Sequence, residues 1–272
     1  MTWRDSVNQS VGVARIGDPT EYVDSAALTT ASPIDVFYRA SQDILRVGTP
    51  EFLSANHSMG PLLLVGLVSA TENYFRDVFA GIIRLCPTAQ SKSADHSIKL
   101  GSVIWHSGVD VERGAFEHIS FASGERLIKS SKEYLAYTLK QTSIVDEFDK
   151  VCELRHGIVH SGAIIAGKNA IRLQLPPTKE PLRITVDFAR LQECGSICTT
   201  LVASINSELF AELARRWAVV WPKLPSWNSE RTHALFRQVW STFFSAYDHT
   251  NGTIPTSLSL MKCKHRVLAE YS

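Results

Sequence analysis

The chain has almost no net charge. Its 28 Lys and Arg against 27 Asp and Glu leave +1 over 272 residues, so any polyanion has to be held by a local patch rather than by an overall field. Cysteine is scarce, with five residues, odd in number and widely spread, which argues against a disulfide framework. Cys194 and Cys198 stand one helical turn apart without a second close pair, and read as small buried apolar residues. Long hydrophobic runs are missing. The longest, Pro61 to Val68, is under half a membrane span and soon meets Thr71, Glu72 and Asn73. The opening MTWRDSVNQS lacks the basic and apolar regions of a signal peptide. These absences predict a cytoplasmic protein with no membrane contact. No phosphate-cradling Walker loop, dinucleotide-binding glycine run or Gly-x-Ser-x-Gly elbow occurs, and no cofactor is expected. What is present is ordinary for a folded protein: 44% hydrophobic and 20% charged residues, enough to bury a core without metals or staples.

The periodicities predict a mainly α protein in three parts. Residues 1–58 hold an N-terminal arm and short helices. Residues 1–31 are polar and weakly periodic; Ser32-Pro33 then opens a helix that Gly48 ends, and Thr49-Pro50 repeats the device. Residues 59–217 form a helical domain. Its strongest helix runs from Pro61 to Leu85, with Leu64, Leu67, Val68, Thr71, Tyr74, Phe75, Val78, Phe79, Ile82 and Ile83 on one face. Glu72 and Arg76, four apart, form a candidate structural pair on the other side. Residues 88–112 carry no clear pattern. A helix follows over 124–139, then one from Ser143, read as its cap, to Ser161. The alternating segments AIRLQL (170–175) and LRITV (182–186) predict a small β-element. A long helix over 188–217 completes the domain. Residues 218–272 form a C-terminal helical extension packed on the core.

The helix ending at Ser161 is unusual. At about 100° per residue, Ile144, Val145, Phe148, Val151, Ile158 and Val159 gather in a sector about 140° wide, and Arg155 falls in its middle. A guanidinium cannot lose its proton at ordinary pH, and burying one unpaired is costly. It must meet a carboxylate, backbone carbonyls or an anion from outside. His156 and His160 share a flank of that sector, with Cys152 on the same edge. Gly157 falls on the outer face, where a missing side chain either permits close approach of another group or is simply tolerated. Asp146, Asp149, Lys150 and Glu153 read as solvated charge.

Three readings of the cluster are open. Arg155 and His160 could act on a phosphodiester, the arginine holding phosphate by charge-assisted hydrogen bonds and the histidine, with an ordinary pKa of about 6.5, moving a proton. On one helix the two side chains point about 140° apart, so this chemistry asks for a cleft between two such helices related by a two-fold axis. Alternatively, Cys152, His156 and His160 are metal ligands, although no Glu sits between the histidines in the zinc-protease pattern. In the third reading the cluster is structural, with Arg155 on carbonyls or on an acid such as Glu72.

The segment ELRHGIVHSG, with Arg155, a polar residue directly after it and His160, resembles the helix end that carries the Arg-x4–6-His signature of the HEPN superfamily. The upstream helix LVSATENYFRDVFAGII and the order of helices resemble its RiboL-PSP-like branch. The likeness covers about Met59 to Trp217. It implies a HEPN-like helical bundle and metal-independent endoribonuclease action by a symmetric homodimer. Arg155 would then stabilise the scissile phosphate. His160 would assist attack of the ribose 2′-OH or protonate the leaving 5′-oxygen, and His156 would orient the pair or touch RNA. DNA is excluded because the nucleophile is the 2′-OH. The biological roles implied are a toxin with an antitoxin or regulatory protein as partner, an antiviral defence effector or a stress-response factor. The alternative is a non-catalytic HEPN-like module that binds RNA or protein. Position 162 is Gly where toxins modified by a nucleotidyltransferase have Tyr, so modification at that position is not implied.

Two further features read blandly. Trp217, Trp221 and Trp227, close to Pro222 and Pro225, predict a linker packed on the helical body more than a base-stacking platform. Arg215-Arg216 and the group Lys262, Lys264, His265 and Arg266 read as solvated helix faces more than as phosphate contacts.

Overall fold

A computed structural model describes residues 3–7, 13–25, 30–106 and 110–271. It divides into two compact units, Met1–Thr30 and Ala31–Ser272. The predicted arm falls in the first unit, of which residues 1–2, 8–12 and 26–29 lie outside the described residues. The rest forms two single turns, Trp3–Ser6 and Pro19–Tyr22. Asp18 caps the second by accepting from Thr20 N at 2.9 Å, which satisfies an amide the turn itself cannot.

The second unit is helical. Pro33–Val47 (α1) opens after Ser32 and stops at Gly48. Pro50–Ala55 (α2) is capped by the Thr49 hydroxyl, which accepts from Phe52 N at 3.2 Å. Met59–Leu85 (α3) is the central element, packed against α1 and, further on, against Thr142–Ser161 (α8) and Phe188–Arg215 (α10). Between them come Pro87–Ser93 (α4), Leu100–Trp105 (α5), Val111–Gly114 (α6) and Gly124–Leu135 (α7); Gly167–Arg172 (α9) follows α8. Thr232–Phe243 (α11), Ala246–Thr250 (α12) and Leu260–Tyr271 (α13) close the chain. In the unpatterned stretch 88–112, residues 107–109 lie outside the described ones.

The predicted apolar face of α3 is buried, and Tyr74, Phe75 and Phe79 meet Phe37, Phe116 and Phe121 in a run of edge-on and tilted ring contacts. Each such ring contributes roughly 1.5–3 kcal/mol by leaving water. The opposite side of α3 is enclosed as well. Glu72 is only 6% exposed. Its Oε1 accepts from Arg76 at 3.3 Å, from the Ser120 hydroxyl at 2.9 Å and from the Phe121 amide at 2.8 Å. Enclosing a carboxylate is costly unless donors meet it, and here they do.

Several boundaries and one element differ from the sequence expectation. The β-element does not form: among the described residues there is no strand, only an isolated bridge between Ile164 and Arg183. AIRLQL instead begins inside α9. Asn169 and Arg172, three apart, both reach Glu153 of α8; a helix puts residues at that spacing on one face, whereas a strand puts them on opposite faces. With no third strand to join, a lone ribbon would also be marginal. The motif helix starts at Thr142 and takes no side-chain cap, so Ser143 is not its cap. The long helix α10 ends at Arg215 and runs on as a π-turn over Arg216–Val220. The 188–223 segment is long and apolar enough to span a membrane by length and composition alone. Its apolar residues Leu191, Cys198, Leu201, Val202, Ile205, Leu209 and Leu213 are instead core.

Arg216 is no solvated cation. It is 5% exposed and hydrogen-bonded to Glu212 (2.6 Å) and to the last carbonyls of α7, Leu135 O (2.8 Å) and Ala136 O (3.0 Å). Trp217 and Trp221 are buried beside it, so the extension packs on the body. Tyr74 donates to Asn206 Oδ1, and Asn206 Nδ2 donates to Phe243 O, tying α3, α10 and α11 by one closed polar link.

Gly60 marks where the segment after α9 crosses the start of α3. A Cβ there would lie 1.8 Å from Val186 O. Ala usually gains about 1 kcal/mol over Gly in a helix. Here the backbone collision outweighs that, and Gly60→Ala is expected to cost about 1–3 kcal/mol in a urea-unfolding midpoint; a stabilised variant would refute the close crossing.

Candidate functional site at the end of the motif helix

The first half of α8 is anchored by Val145, Phe148, Val151 and Cys152, all buried. Arg155 follows three residues after Cys152 and four after Val151, so the helix turns it toward the same side. The structure leaves Arg155 half-buried, with its Nε shielded from solvent and without a hydrogen-bond partner. The neighbouring acids are committed elsewhere. Glu72 holds Arg76, the Ser120 hydroxyl and the Phe121 and Ala122 amides. Asp149 accepts from Gly124 N at 2.6 Å, and Glu153 takes Asn169 and Arg172. These two acids, read from sequence as solvated charge, in fact clasp α7 and α9 to the motif helix. The Arg155–Glu72 pairing weighed from sequence is therefore not made.

The stripe comes to the surface one turn later. Val159 is 46% exposed, and His156 and His160 are both exposed with their rings 4.5 Å apart at 49°. The fold thus brings the two histidines together on one flank. It makes no hydrogen bond between Arg155 and either of them; on one helix Arg155 diverges from His156 by about 100° and from His160 by about 140°.

Gly162, left-handed at φ 59°, ends α8 and turns the chain back. The returning strap bonds through Ile165 N to Leu182 O (2.9 Å) and Ile184 N to Ala163 O (2.8 Å). It lays Ile184 on Gly157, where a Cβ would meet Ile184 Cδ1 at 2.7 Å. Gly157 is buried rather than outward-facing; its missing side chain admits the chain's own strap. Beside Leu154 the strap, α8 and α10 enclose a groove of about 470 Å³, apolar in its floor (Val151, Ile184, Ile197) and edged by charges of both signs, Lys150, Arg183 and Arg190 with Glu147 and Glu193.

Cys152, one turn before His156, is buried. Burial pushes its thiol well above the ordinary range, Asp149 adds to this, and nearby Arg155 opposes it. A buried neutral thiol and two exposed imidazoles do not make a ligand set, and among the described residues no three His, Cys, Asp or Glu side chains are placed to hold a metal. All five cysteines are buried and unpaired; burial pushes Cys198 up to about 12.

The strap and the acidic clasp were not foreseen from sequence. The i, i+3 spacing of Asn169 and Arg172 was the available signal, masked by the alternation of AIRLQL. Comparison with protein-family models, with curated proteins and with solved structures gave no match to this chain.

Proposed function

We propose that the chain is a metal-independent endoribonuclease whose site is completed when the ends of two α8 helices meet. The observation that carries this is the buried, partnerless Arg155 Nε beside an exposed histidine pair. An unmet buried donor costs about 1–3 kcal/mol, a cost that an arriving phosphate removes by supplying anionic acceptors. A second copy of α8 across a two-fold axis would cover Val159 and put one chain's Arg155 near the other's His160. In that cleft Arg155 binds the scissile phosphate. His160 takes the 2′-OH proton or gives one to the 5′-oxygen, leaving a cyclic phosphate and a 5′-hydroxyl. His156 orients its neighbour or contacts RNA. The adjacent groove has an apolar floor that suits a nucleobase. The HEPN resemblance, a cytoplasmic toxin, defence or stress-response role, and an antitoxin or regulatory partner belong to the same proposal.

The test is incubation of the purified chain with an RNA and its all-deoxy counterpart in excess EDTA, with the mass of the active species measured by light scattering. RNA cut to 2′,3′-cyclic ends by a dimer, with DNA intact, is the expected result. Cleavage that needs added metal, or equal cutting of DNA, would sink it. One observation favours a second reading: neither His156 nor His160 has a hydrogen-bonding group to orient it among the described residues. If RNA is bound but never cut, the chain is a binding module.

A further inference from the structure

Away from α8, the helices α1, α10, α11 and α12 and the loop 253–258 enclose a cavity of about 510 Å³. That volume lies within the usual range for small-molecule sites, roughly 300–1,000 Å³. Its walls include Tyr38, Phe210, Trp240, Phe244, Ile254 and Leu258. Trp240 and Phe244 are stacked at 4.8 Å, and Tyr38 lies against Tyr247 at 5.3 Å. Such walls bind an apolar body and offer ring faces to a cation.

The polar end of the cavity is Asp248. Its Oδ2 accepts from the Tyr38 hydroxyl at 3.0 Å and its Oδ1 from the Thr253 hydroxyl at 2.8 Å. A carboxylate offers about four acceptor positions, so both oxygens keep capacity for a further donor. A second carboxylate stands behind it. Asp35 accepts from Ser245 Oγ (2.7 Å), Ala246 N (2.9 Å) and Tyr247 N (3.3 Å). Neither acid has an ion-pair partner among the described residues, and no Lys or Arg lines the cavity. The other titratable groups there are Tyr38, Cys263 and, at an exposed position, His249. Burial foremost, then Asp248 and Asp35, hold the Tyr38 phenol well above its ordinary range, so Tyr38 remains a neutral donor. The cavity therefore joins aromatic walls to carboxylate charge that no internal cation balances.

We infer that this cavity is a binding site for a small organic ammonium ion, its apolar body among Phe210, Trp240 and Phe244 and its protonated amine on Asp248. A neutral ligand of the same shape leaves the carboxylate's charge unanswered, and an anionic one meets the charge of Asp248 directly. Charge, more than shape, sets the selectivity.

The test uses the full chain and three probes of like size and different charge: tryptamine, tryptophol and indole-3-acetate, followed by ligand-observed saturation-transfer NMR. Tryptamine should bind about tenfold more tightly than tryptophol, the factor a desolvated cation–π and carboxylate contact supplies, with indole-3-acetate weakest. Asp248→Asn keeps an acceptor for one of Tyr38 and Thr253, offers an N–H to the hydroxyl oxygen of the other, and should reduce tryptamine to the tryptophol level. Ser207→Phe, at an exposed position on the cavity wall, should weaken both. Equal binding of the three probes, tryptamine binding that persists in Asp248→Asn, or no binding of any probe to the wild-type chain overturns the inference.

Discussion

Arg155→Met is expected to make the protein more stable and less active. The guanidinium sits in an apolar stripe with its Nε shielded and unbonded, so an apolar side chain of similar length removes an unmet donor while keeping the packing. The gain is about 1–2 kcal/mol, or roughly 2–8 °C in Tm for a chain of this size. On the proposed chemistry the same variant loses a charge aimed at the transition-state phosphate, which costs about 10²–10³ in kcat. His160→Ala removes proton transfer and costs about 10²–10⁴, with little change in Tm because the ring is exposed. The double variant should fall no further than the worse single one by much, since the groups act as a unit. Thermal unfolding and cleavage rates measured on the same preparations decide it. A structural Arg155 predicts the reverse pattern, with lower Tm and no coupled loss of activity.

The largest stability effect is expected at Arg216. Its guanidinium is the cap of α7: it satisfies Leu135 O and Ala136 O where that helix ends in a left-handed residue, and it binds Glu212 one turn back. Truncation to Ala leaves the buried Leu135 carbonyl and the half-buried Ala136 carbonyl without this donor, and a cavity between α7 and the π-turn. The expected cost is about 3 kcal/mol or more, roughly 6–12 °C in Tm. Arg216→Lys should recover only part, because one ammonium cannot reproduce the fork. A loss under 1 kcal/mol in Arg216→Ala would show that the cap is dispensable.

Glu212 gives the linked acid dependence. Burial alone raises its pKa, but the hydrogen bonds from Arg215 and Arg216 outweigh that and hold it below 4.5. A depressed folded value means that the stability it contributes is present above the unfolded value and is lost as pH falls through the folded one. Denaturant midpoints of the wild type should therefore decline below about pH 4.5. In Arg216→Ala, where part of the depression is removed, this portion of the decline should shrink; an unchanged acid slope would refute the coupling.

How much was legible beforehand can be followed through particular residues. The face of α3 was readable because Leu64, Leu67, Val68 and Thr71 repeat at the helical period, and burial follows period wherever one helix packs on others. Arg155 was conspicuous for the same reason, as a charge out of place in a stripe. Arg216 was misread because a lone basic doublet looks solvated, and only the meeting of α7 with the end of α10, some 80 residues apart, supplies its carbonyls. The strand expectation at 170–175 failed because alternation over so short a run is weaker than two hydrogen bonds to Glu153.

The sequence by itself determined the helical class, most helix limits and the singular position of Arg155, since these depend on spacing along one segment. Only the tertiary structure decided that Glu72 is taken, that Gly157 receives the strap, that Asp149 and Glu153 clasp their neighbours and that Asp248 faces an aromatic cavity. Each of those depends on which distant groups satisfy a buried polar atom, and hydrogen-bond partners across a fold leave no period in the chain.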